Sequence, residues 1–439
     1  MNPYAIPSSD SIDIDNHLKA ASQSAESTSL VNTANIPVIG IETTKNTKRK
    51  LQKYLLRSVA RTLLTDANML TKAGNKHRTR TCGMHRRKGE RNVTIKLNKN
   101  PEQSNASIGN TQSCTCLWGC PICYERIAME NAEKILKVIH WAKTNNHFTM
   151  MIALTASHKV EMPLEFSERT FKAAWDKFNK SYAWKKFKKD YGVSHFIHNV
   201  DITYTLENGW HYHKHLLLIL DHDKADVTEA HEKANEILTK LWQHQLKTEG
   251  RGASEEHGLY VSDENKSPSD YIAKTGITVD DNGKLQWEMT SNETKDSFNI
   301  WSILNAASKG DNHAEKLYLE YVKVMTGKNW MAYGQSGLQK IIEEIELPEP
   351  EGDAEQVEEQ HHWLKFSDYW WDIVKLSNGD ARIIDVAAKT RSIDAIRELL
   401  ETMRIDLIYA NKLSDYYEKF IPIENSVADM RIHDDWTKT

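Results

Sequence analysis

The chain of 439 residues has no long hydrophobic run, few cysteines and no marked excess of either charge. Because a transmembrane helix needs about 20 consecutive apolar residues, no segment qualifies as a membrane span. Five cysteines are too few for a disulfide framework in a chain of this length. Residues 1–30 carry acidic side chains and no apolar core, which is not typical of a secretory signal. We therefore expect a cytoplasmic protein with reduced thiols and no membrane partner.

The formal net charge of -4 conceals a separation of the two signs along the chain. Residues 45–99 are strongly basic, and residues 343–359 are strongly acidic. A phosphate backbone responds to the local positive charge and not to the net charge of the whole chain. The basic segment is therefore a candidate nucleic-acid contact. The candidate DNA-binding side chains within it are Arg78, Arg80, Arg86 and Arg87.

Composition and periodicity divide the chain into five predicted segments. Residues 1–44 are rich in Ser, Asn, Thr and Ala, and we expect a disordered tail. Residues 45–125 are a basic, DNA-contacting element that ends in the cysteines, and residues 126–340 are the main α+β domain. Residues 341–360 form an acidic linker, and residues 361–439 form a small helical unit.

Apolar periodicity predicts the elements of the main domain. The predicted strands are 148–157, 196–206, 211–220 and the start of 258–276, and the predicted helices are 127–142, 171–191 as one helix or a pair, 228–246 and the end of 258–276. The helix at 171–191 carries lysines beside Trp184 and Phe187, which makes Lys185 and Lys186 further candidate DNA contacts. An ordinary solvated helix face would explain that pattern equally well.

Three histidines alternate along one predicted strand, at His211, His213 and His215. Side chains of a β-strand alternate between its two faces, so all three project from the same side. Imidazoles spaced in this way can share one divalent cation. The apolar residues 216–220 follow and would hold these ligands in place. A run of surface histidines on an edge strand is the simpler alternative, and the strict alternation disfavours it.

The preceding strand carries a candidate acidic ligand, Asp201, on its polar face. A three-residue loop at 207–209, with Gly209 in the left-handed conformation, would pair the polar face of one strand with the histidines of the next. That register places Asp201 opposite His215. We therefore predict that Asp201 is a metal ligand.

Tyr271 and Lys274 lie one helical turn apart in the predicted helix that follows. Tyrosine is a weak nucleophile near neutral pH because its ordinary pKa is about 10. A metal ion that withdraws charge from a phosphate, together with the Lys274 ammonium group, would make attack by Tyr271 feasible. In most Tyr-x-x-Lys pairs the tyrosine only packs in the core and the lysine is solvated. This pair therefore indicates catalysis only in combination with the histidine strand.

Four of the five cysteines lie within ten residues, and Cys120 and Cys123 have the spacing of structural zinc sites. The predicted zinc ligands are Cys82, Cys116, Cys120 and Cys123, which leaves Cys114 spare. His85 is another candidate ligand. A redox-active Cys-x-x-Cys pair is the alternative, which the flanking thiols and the basic surroundings disfavour.

Together, these motifs resemble those of plasmid rolling-circle replication initiators, the replication branch of the His-hydrophobe-His (HUH) endonuclease superfamily. The resemblance covers about residues 78–338. The matching elements are the cysteine motif at 116–123, the strand at 152–158, Asp201 ahead of the histidine motif at 208–215, the tyrosine motif at 269–276 and the segment 330–338.

The resemblance implies a ferredoxin-like antiparallel sheet with helices on one face. It further implies site-specific nicking at a plasmid origin by Tyr271, through a 5′-phosphotyrosyl intermediate, followed by strand transfer. The catalytic ion would be Mg²⁺ or Mn²⁺, bound by His213 and His215 with His211 and Asp201 nearby. The implied partners are origin DNA, as a single strand or a hairpin, and a host helicase and polymerase.

The sequence departs from the family pattern at functional positions. Asp201 stands where Glu is usual, and Lys214 stands between two histidines where an apolar residue is usual, so the metal-binding pair stays open. No Glu lies four residues before Tyr271, so Asp270 or Glu264 would have to act in termination. A relaxase or transposase of the same superfamily, and a non-enzymatic origin-binding zinc protein, are the alternative functions.

Overall fold

The computed structural model describes residues 45–100, 105–221, 226–254, 258–262, 277–279, 285–287, 297–334, 337–347 and 360–409. Among these, the residues within Tyr124–Gly352 form one compact unit, here the central unit. The residues within Ser27–Cys123 and Asp353–Thr439 form a second, here the composite unit. The predicted tail and most of the predicted acidic linker lie outside the described residues.

The helices are numbered in chain order. They are α1 Lys45–Asp66, α2 Pro121–Thr144, α3 Leu164–Lys180, α4 Tyr182–Asp190, α5 Val227–Lys233, α6 Thr239–Thr248, α7 Ile300–Ala307, α8 Asn312–Met325, α9 Leu338–Glu344, α10 Asp368–Leu376, α11 Asp380–Thr390 and α12 Ile393–Tyr409. A short 3₁₀ turn spans Arg78–Thr81, and a π-helical segment, Ala234–Leu238, joins α5 to α6.

The strands are likewise numbered in chain order. They are β1 Val93–Asn98, β2 Ala106–Gly109, β3 His147–Leu154, β4 Val193–Thr205, β5 Gly209–Asp221, β6 Leu259–Val261, β7 Ile277–Val279, β8 Leu285–Trp287, β9 Met331–Tyr333 and β10 Gln360–Phe366. The strands predicted in the main domain correspond to β3, β4, β5 and β6. The helix predicted after β6 lies outside the described residues.

The composite unit joins two parts of the chain that the sequence had assigned to separate segments. Strand β10 pairs with β1, and β1 pairs with β2, in a small antiparallel sheet. The prediction of a separate small helical unit at residues 361–439 is therefore corrected, because its first strand pairs with β1 of the composite unit. Strand β10 could not be predicted from local pattern because its pairing partner lies more than 260 residues earlier. The core includes Val93, Ile95, Leu97, Leu364, Phe366, Trp370, Ile383, Ile384, Leu400 and Met403.

A buried ion cluster connects the first and last parts of the composite unit. Asp380 at the start of α11 accepts hydrogen bonds from Arg57 at 2.5 Å and from Arg61 at 2.9 Å. The hydroxyl of Ser58 donates to the other carboxylate oxygen at 2.8 Å. Burial alone would raise the pKa of Asp380, but the two guanidinium groups outweigh it and lower that pKa. This cluster connects α1 to α11 across more than 300 residues.

The central unit contains a five-stranded antiparallel sheet in the order β6-β3-β5-β4-β9. Along the chain, β3 is followed by α3 and α4, the hairpin β4–β5, the helical segment α5–α6 and then β6. This is a β-α-β-β-α-β succession, and its four strands lie in the spatial order fourth, first, third, second. Strand β9 extends the sheet beside β4.

Helices pack against both faces of the central sheet. On one face, Phe171 of α3 contacts the ring of Tyr212 at a centroid distance of 5.0 Å. On the face that carries the histidines, Trp141 of α2 contacts His147 at 4.8 Å and His195 at 5.6 Å. The expectation of helices on one face only is thus corrected. The apolar second half of β5 is buried on both sides, as its run of leucine and isoleucine requires.

Candidate metal centres

The hairpin β4–β5 sets the positions of the predicted metal ligands. Asp201 pairs with His213, and not with His215 as predicted, so the register differs by two residues. A shift of two residues keeps the faces unchanged, and the polar face of β4 still meets the histidines. The loop occupies 206–208, where the backbone N–H of Asn208 donates to the hydroxyl of Thr205 at 3.1 Å.

Gly209 begins β5 in the left-handed conformation, with φ at 71°. A Cβ atom there would lie 2.9 Å from the Cα atom of Val160. Both the backbone angle and the close approach therefore require glycine at this position. The predicted left-handed glycine is confirmed, although it stands in the strand and not in the loop.

Asp201, His213 and His215 form a group whose candidate ligand atoms all lie within 4.8 Å of one another. Oδ2 of Asp201 is 3.0 Å from Nε2 of His213 and 4.0 Å from Nε2 of His215. The two histidines are buried and Asp201 is half-buried. One carboxylate oxygen and two imidazole nitrogens are a donor set that divalent transition metals accept, so the residues fit a metal ion. The predicted residues Asp201, His213 and His215 are thus brought together.

His211 lies beside this group and not within it. Its ring is stacked on His158 at a centroid distance of 4.6 Å and lies 4.5 Å from the ring of His213. Burial lowers the pKa of His211 to about 3, with the neighbouring His213 adding to the effect. Burial thus favours the neutral imidazole form of His211 beside the candidate metal-binding group. His158, which ends the strand motif at 152–158, was not predicted as a site residue.

Arg251 holds the segment that carries His158. This buried side chain donates to the carbonyl oxygen of Ser157, to the carbonyl oxygen of Ser167 at 3.3 Å and to the hydroxyl of Thr170 at 3.2 Å. The arginine thereby joins the end of β3 to α3.

Lys214, the residue that departs from the family pattern, projects from the opposite face of the sheet. Its Nζ donates to Nδ1 of His198 at 3.1 Å and lies 4.9 Å from the ring centroid of Trp175. Burial lowers the pKa of Lys214 to about 7. Lys214 is therefore buried on the opposite face and does not interrupt the face that carries the candidate metal ligands.

The predicted nucleophile Tyr271 and its partner Lys274 lie outside the described residues, as do Asp270 and Glu264. A different tyrosine lies near the group. Burial raises the pKa of Tyr124, and the charge of Asp201 adds to this effect. The ring of Tyr124 is 5.0 Å from that of Trp301. Sequence reasoning missed Tyr124, which directly follows the last cysteine.

Four cysteines form a second, closed cluster in the composite unit. Their sulfur atoms all lie within 4.8 Å of one another in the set Cys82, Cys114, Cys120 and Cys123. Cys82 is 3.5 Å from Cys120, and Cys114 is 3.5 Å from Cys123. Tetrahedral zinc with Zn–S bonds of about 2.3 Å requires S···S distances of about 3.8 Å. This buried cluster could therefore hold a metal ion such as zinc.

The fourth cysteine of the cluster is Cys114 and not the predicted Cys116. Thr115 between them has a positive φ of 51°, and only Cys114 brings its thiol into the converging set of four. Cys114 joins the cluster, whereas Sγ of Cys116 lies 3.7 Å from Nε2 of His77. The backbone N–H of Cys116 donates to Sγ of Cys114 at 3.3 Å, as expected for a thiolate ligand. His85 is exposed and lies outside the group.

The predicted DNA contacts are placed on the surface of both units. Arg78, Arg86 and Arg87 of the composite unit and Lys185 and Lys186 of the central unit are exposed, and Arg80 is half-buried. Some of this charge is compensated within the chain. Arg86 pairs with Asp368 at 3.3 Å, and Lys186 pairs with Asp190 at 2.5 Å.

Comparison of the chain with protein-family models, with curated proteins and with solved structures found no match. None of the helices in the described part of the chain combines the length and apolar character needed to cross a membrane.

Proposed function

We propose that this protein is a metal-dependent DNA strand-nicking enzyme, a replication initiator of rolling-circle plasmids. The observation that carries the proposal is the convergence of Asp201, His213 and His215 on one face of adjacent strands. Asp201 is half-buried, so this group is not fully enclosed, unlike the four buried cysteines. Catalytic metal sites in proteins keep such an open position for the substrate, whereas structural sites are closed.

The topology of the central unit supports the same proposal. The β-α-β-β-α-β succession is that of a ferredoxin-like fold, to which β9 and the helix α2 would be additions. The metal-binding group lies on β4 and β5, which are inner strands of this sheet. Ligands carried by paired strands are held more rigidly than ligands on loops, as precise chemistry on a phosphate requires.

In the proposed reaction Tyr271 is the nucleophile. A cation at Asp201, His213 and His215 would withdraw charge from the phosphate that is attacked. The phenol oxygen of Tyr271 forms a bond to phosphorus, and the bond from phosphorus to the 3′ oxygen breaks. The phenol proton ends on the released 3′ hydroxyl, so that the 5′ phosphate stays on the tyrosine. Attack by a 3′ hydroxyl on this ester reverses the step and rejoins a strand.

We further infer that the four-cysteine cluster binds zinc and that it holds the composite unit in the conformation that contacts DNA. Thiolate ligands in a closed tetrahedral set select zinc over Mg²⁺ or Mn²⁺. The exposed arginines Arg78, Arg86 and Arg87 lie within 45 residues of these cysteines along the chain. Their contacts with phosphates would supply affinity, which must then fall as salt concentration rises.

The donor set alone does not identify the reaction, since two histidines and one carboxylate also occur in non-haem iron enzymes. The basic segment, the cysteine cluster and the tyrosine motif favour nucleic acid as the substrate. A protein that only binds the origin, without chemistry, is the second candidate. It predicts binding that is indifferent to metal ions and to Tyr271.

The test incubates the purified chain with its own supercoiled plasmid and Mn²⁺. The variants are Tyr271→Phe, His213→Ala and Asp201→Asn, with Tyr182→Phe and His244→Ala as controls because these side chains are exposed. We expect nicked circles and a covalent protein–DNA adduct from the wild type and from both controls, and neither product from the other three variants. Nicking by Tyr271→Phe would identify another nucleophile, and binding without nicking would favour the second candidate.

A further inference from the structure

Asn199 occupies a position next to the proposed metal ligands. It lies two residues before Asp201 on β4 and pairs with His215 of β5. Because side chains alternate along a strand, Asn199 projects from the same face as Asp201 and His215. Directly paired residues of antiparallel strands have Cβ atoms about 4.5–5.5 Å apart. Asn199 is thus the strand neighbour of one proposed ligand and the cross-strand neighbour of another.

The amide of Asn199 is buried and finds no hydrogen-bond partner in the part of the chain that the structure describes. The side chain is 0% exposed, and within the described parts of the chain neither Oδ1 nor Nδ2 forms a hydrogen bond. Its other cross-strand neighbour is Met331 of β9, whose thioether is at most a weak acceptor. Buried polar groups in native proteins are nearly always hydrogen-bonded, because desolvation without a partner is costly. An unsatisfied amide at this place indicates that it binds something.

We propose that Asn199 is a fourth protein ligand of the metal centre, through Oδ1. The inference rests on the proposed metal-dependent function and extends its ligand set beyond Asp201, His213 and His215. Amide oxygens are ligands that Mg²⁺ and Mn²⁺ accept. Ligation of a cation by Oδ1 breaks no existing hydrogen bond of this amide among the described residues.

A structural asparagine and a ligand asparagine respond in opposite ways to an apolar replacement. Leucine has the same branched shape as asparagine but no polar atoms. If the amide serves only the fold, through partners outside the described residues, Asn199→Leu removes those hydrogen bonds and destabilises the metal-free protein. If the amide is a ligand, Asn199→Leu relieves an unsatisfied polar group and stabilises the metal-free protein, because an apolar group of the same shape belongs in a buried site.

The experiment titrates MnCl₂ into the zinc-loaded full chain and follows binding by calorimetry and by the Mn²⁺ electron paramagnetic resonance signal. The variants are Asn199→Leu and Asn199→Asp, and the control is Thr149→Val. Thr149 lies on the same face of the sheet, opposite Ile219 and therefore four residues from His215. We expect Asn199→Leu to bind Mn²⁺ at least about tenfold more weakly, since even residues that only orient a metal ligand contribute this much. Asn199→Asp keeps an oxygen ligand and should bind at least as tightly as the wild type, and the control should bind unchanged.

The second readout is the thermal midpoint without Mn²⁺. We expect Asn199→Leu to raise it by about 2–4 °C, while Mn²⁺ raises it less than in the wild type. A variant that is less stable than the wild type, or that fails to fold, would show a structural role and overturn the inference. Wild-type affinity in Asn199→Leu would also overturn it and leave the proposed function intact. A wild type that binds no Mn²⁺ would instead contradict the proposed function, and the inference with it.

Discussion

The two candidate metal centres differ in how far the chain closes around them. The cysteine cluster has four buried ligands that approach at distances near those of a zinc tetrahedron. The Asp201 group has two buried imidazoles and one half-buried carboxylate, and it shares its face with a buried amide that has no hydrogen-bond partner among the described residues. A closed set stabilises a fold, and an open set leaves room for a substrate. One chain therefore contains both a candidate structural centre and a candidate catalytic one.

The largest effect should come from removing the zinc that we propose for the four-cysteine cluster. Structural zinc contributes roughly 10–16 kcal/mol of apparent binding free energy in small domains. We expect Cys120→Ser, or a strong chelator, to abolish the cooperative thermal transition of the composite unit. Calorimetry together with a zinc-release assay measures this, and removal of Mn²⁺ alone is the control. An unchanged thermal transition after loss of zinc would contradict a structural role for the four-cysteine cluster.

The next largest effect concerns the ion cluster around Asp380. Asp380→Asn leaves Arg57 and Arg61 buried without their counter-charge, which should cost about 3–5 kcal/mol of unfolding free energy. The exposed pair Arg397–Asp394 supplies the control, and Asp394→Asn should cost less than about 1 kcal/mol. Urea unfolding at pH 7 measures both values. Equal losses of unfolding free energy in Asp380→Asn and Asp394→Asn would contradict the role of Asp380 as the buried counter-charge of the two arginines.

The same cluster predicts a pH dependence. The folded-state pKa of Asp380 lies below its ordinary value of about 3.9, since the two guanidinium groups outweigh burial. The unfolded chain therefore binds the proton more readily, and the stabilisation is present above about pH 4 and is lost as the pH falls through the folded-state pKa. The difference in stability between the wild type and Asp380→Asn should shrink between pH 4 and pH 2. If the stability difference between the wild type and Asp380→Asn instead grew on acidification, the pKa of Asp380 could not be lowered by folding.

A smaller effect separates the open centre from the closed one. We expect His213→Ala to weaken Mn²⁺ binding by about 10–100-fold, or about 1.4–2.8 kcal/mol, with zinc content and the transition of the composite unit unchanged. Calorimetric Mn²⁺ titration and metal analysis of the same sample test this. Loss of zinc in His213→Ala would mean that the two centres are not independent.

The smallest effect distinguishes the two neighbouring cysteines. Cys116→Ser should retain one equivalent of zinc and change the unfolding free energy by less than about 1 kcal/mol, because its thiol packs against the cluster without joining the four converging sulfur atoms and lies 3.7 Å from Nε2 of His77. Cys114→Ser should lose the zinc. Zinc release measured with a colorimetric chelator compares the pair directly. The opposite result would restore Cys116 as the ligand.

Those elements that have a local sequence pattern were predicted correctly. The alternation of His211, His213 and His215 predicted their common face, and β3, β4 and β5 lie where apolar periodicity placed them. The predicted register of the hairpin was wrong by two residues. Matching the polar and apolar faces of the two strands excludes odd shifts in register, and only the turn decides between the even shifts that remain. Asn199 carried no signal, since a single asparagine in a strand is ordinary until its burial and its neighbours are known.

What the sequence determined by itself was therefore the chemistry: which residues can bind metal ions, which face they share and where basic charge concentrates. Only the tertiary structure decided which of them meet. The positive φ at Thr115 exchanged Cys114 for Cys116, and the pairing of β10 with β1 made one unit from two predicted segments. Both outcomes depend on contacts between residues distant in the chain or on one backbone angle. Neither the backbone angle nor the distant strand pairing produces a periodic pattern in the sequence, because such a pattern reflects only which face of a local helix or strand is buried.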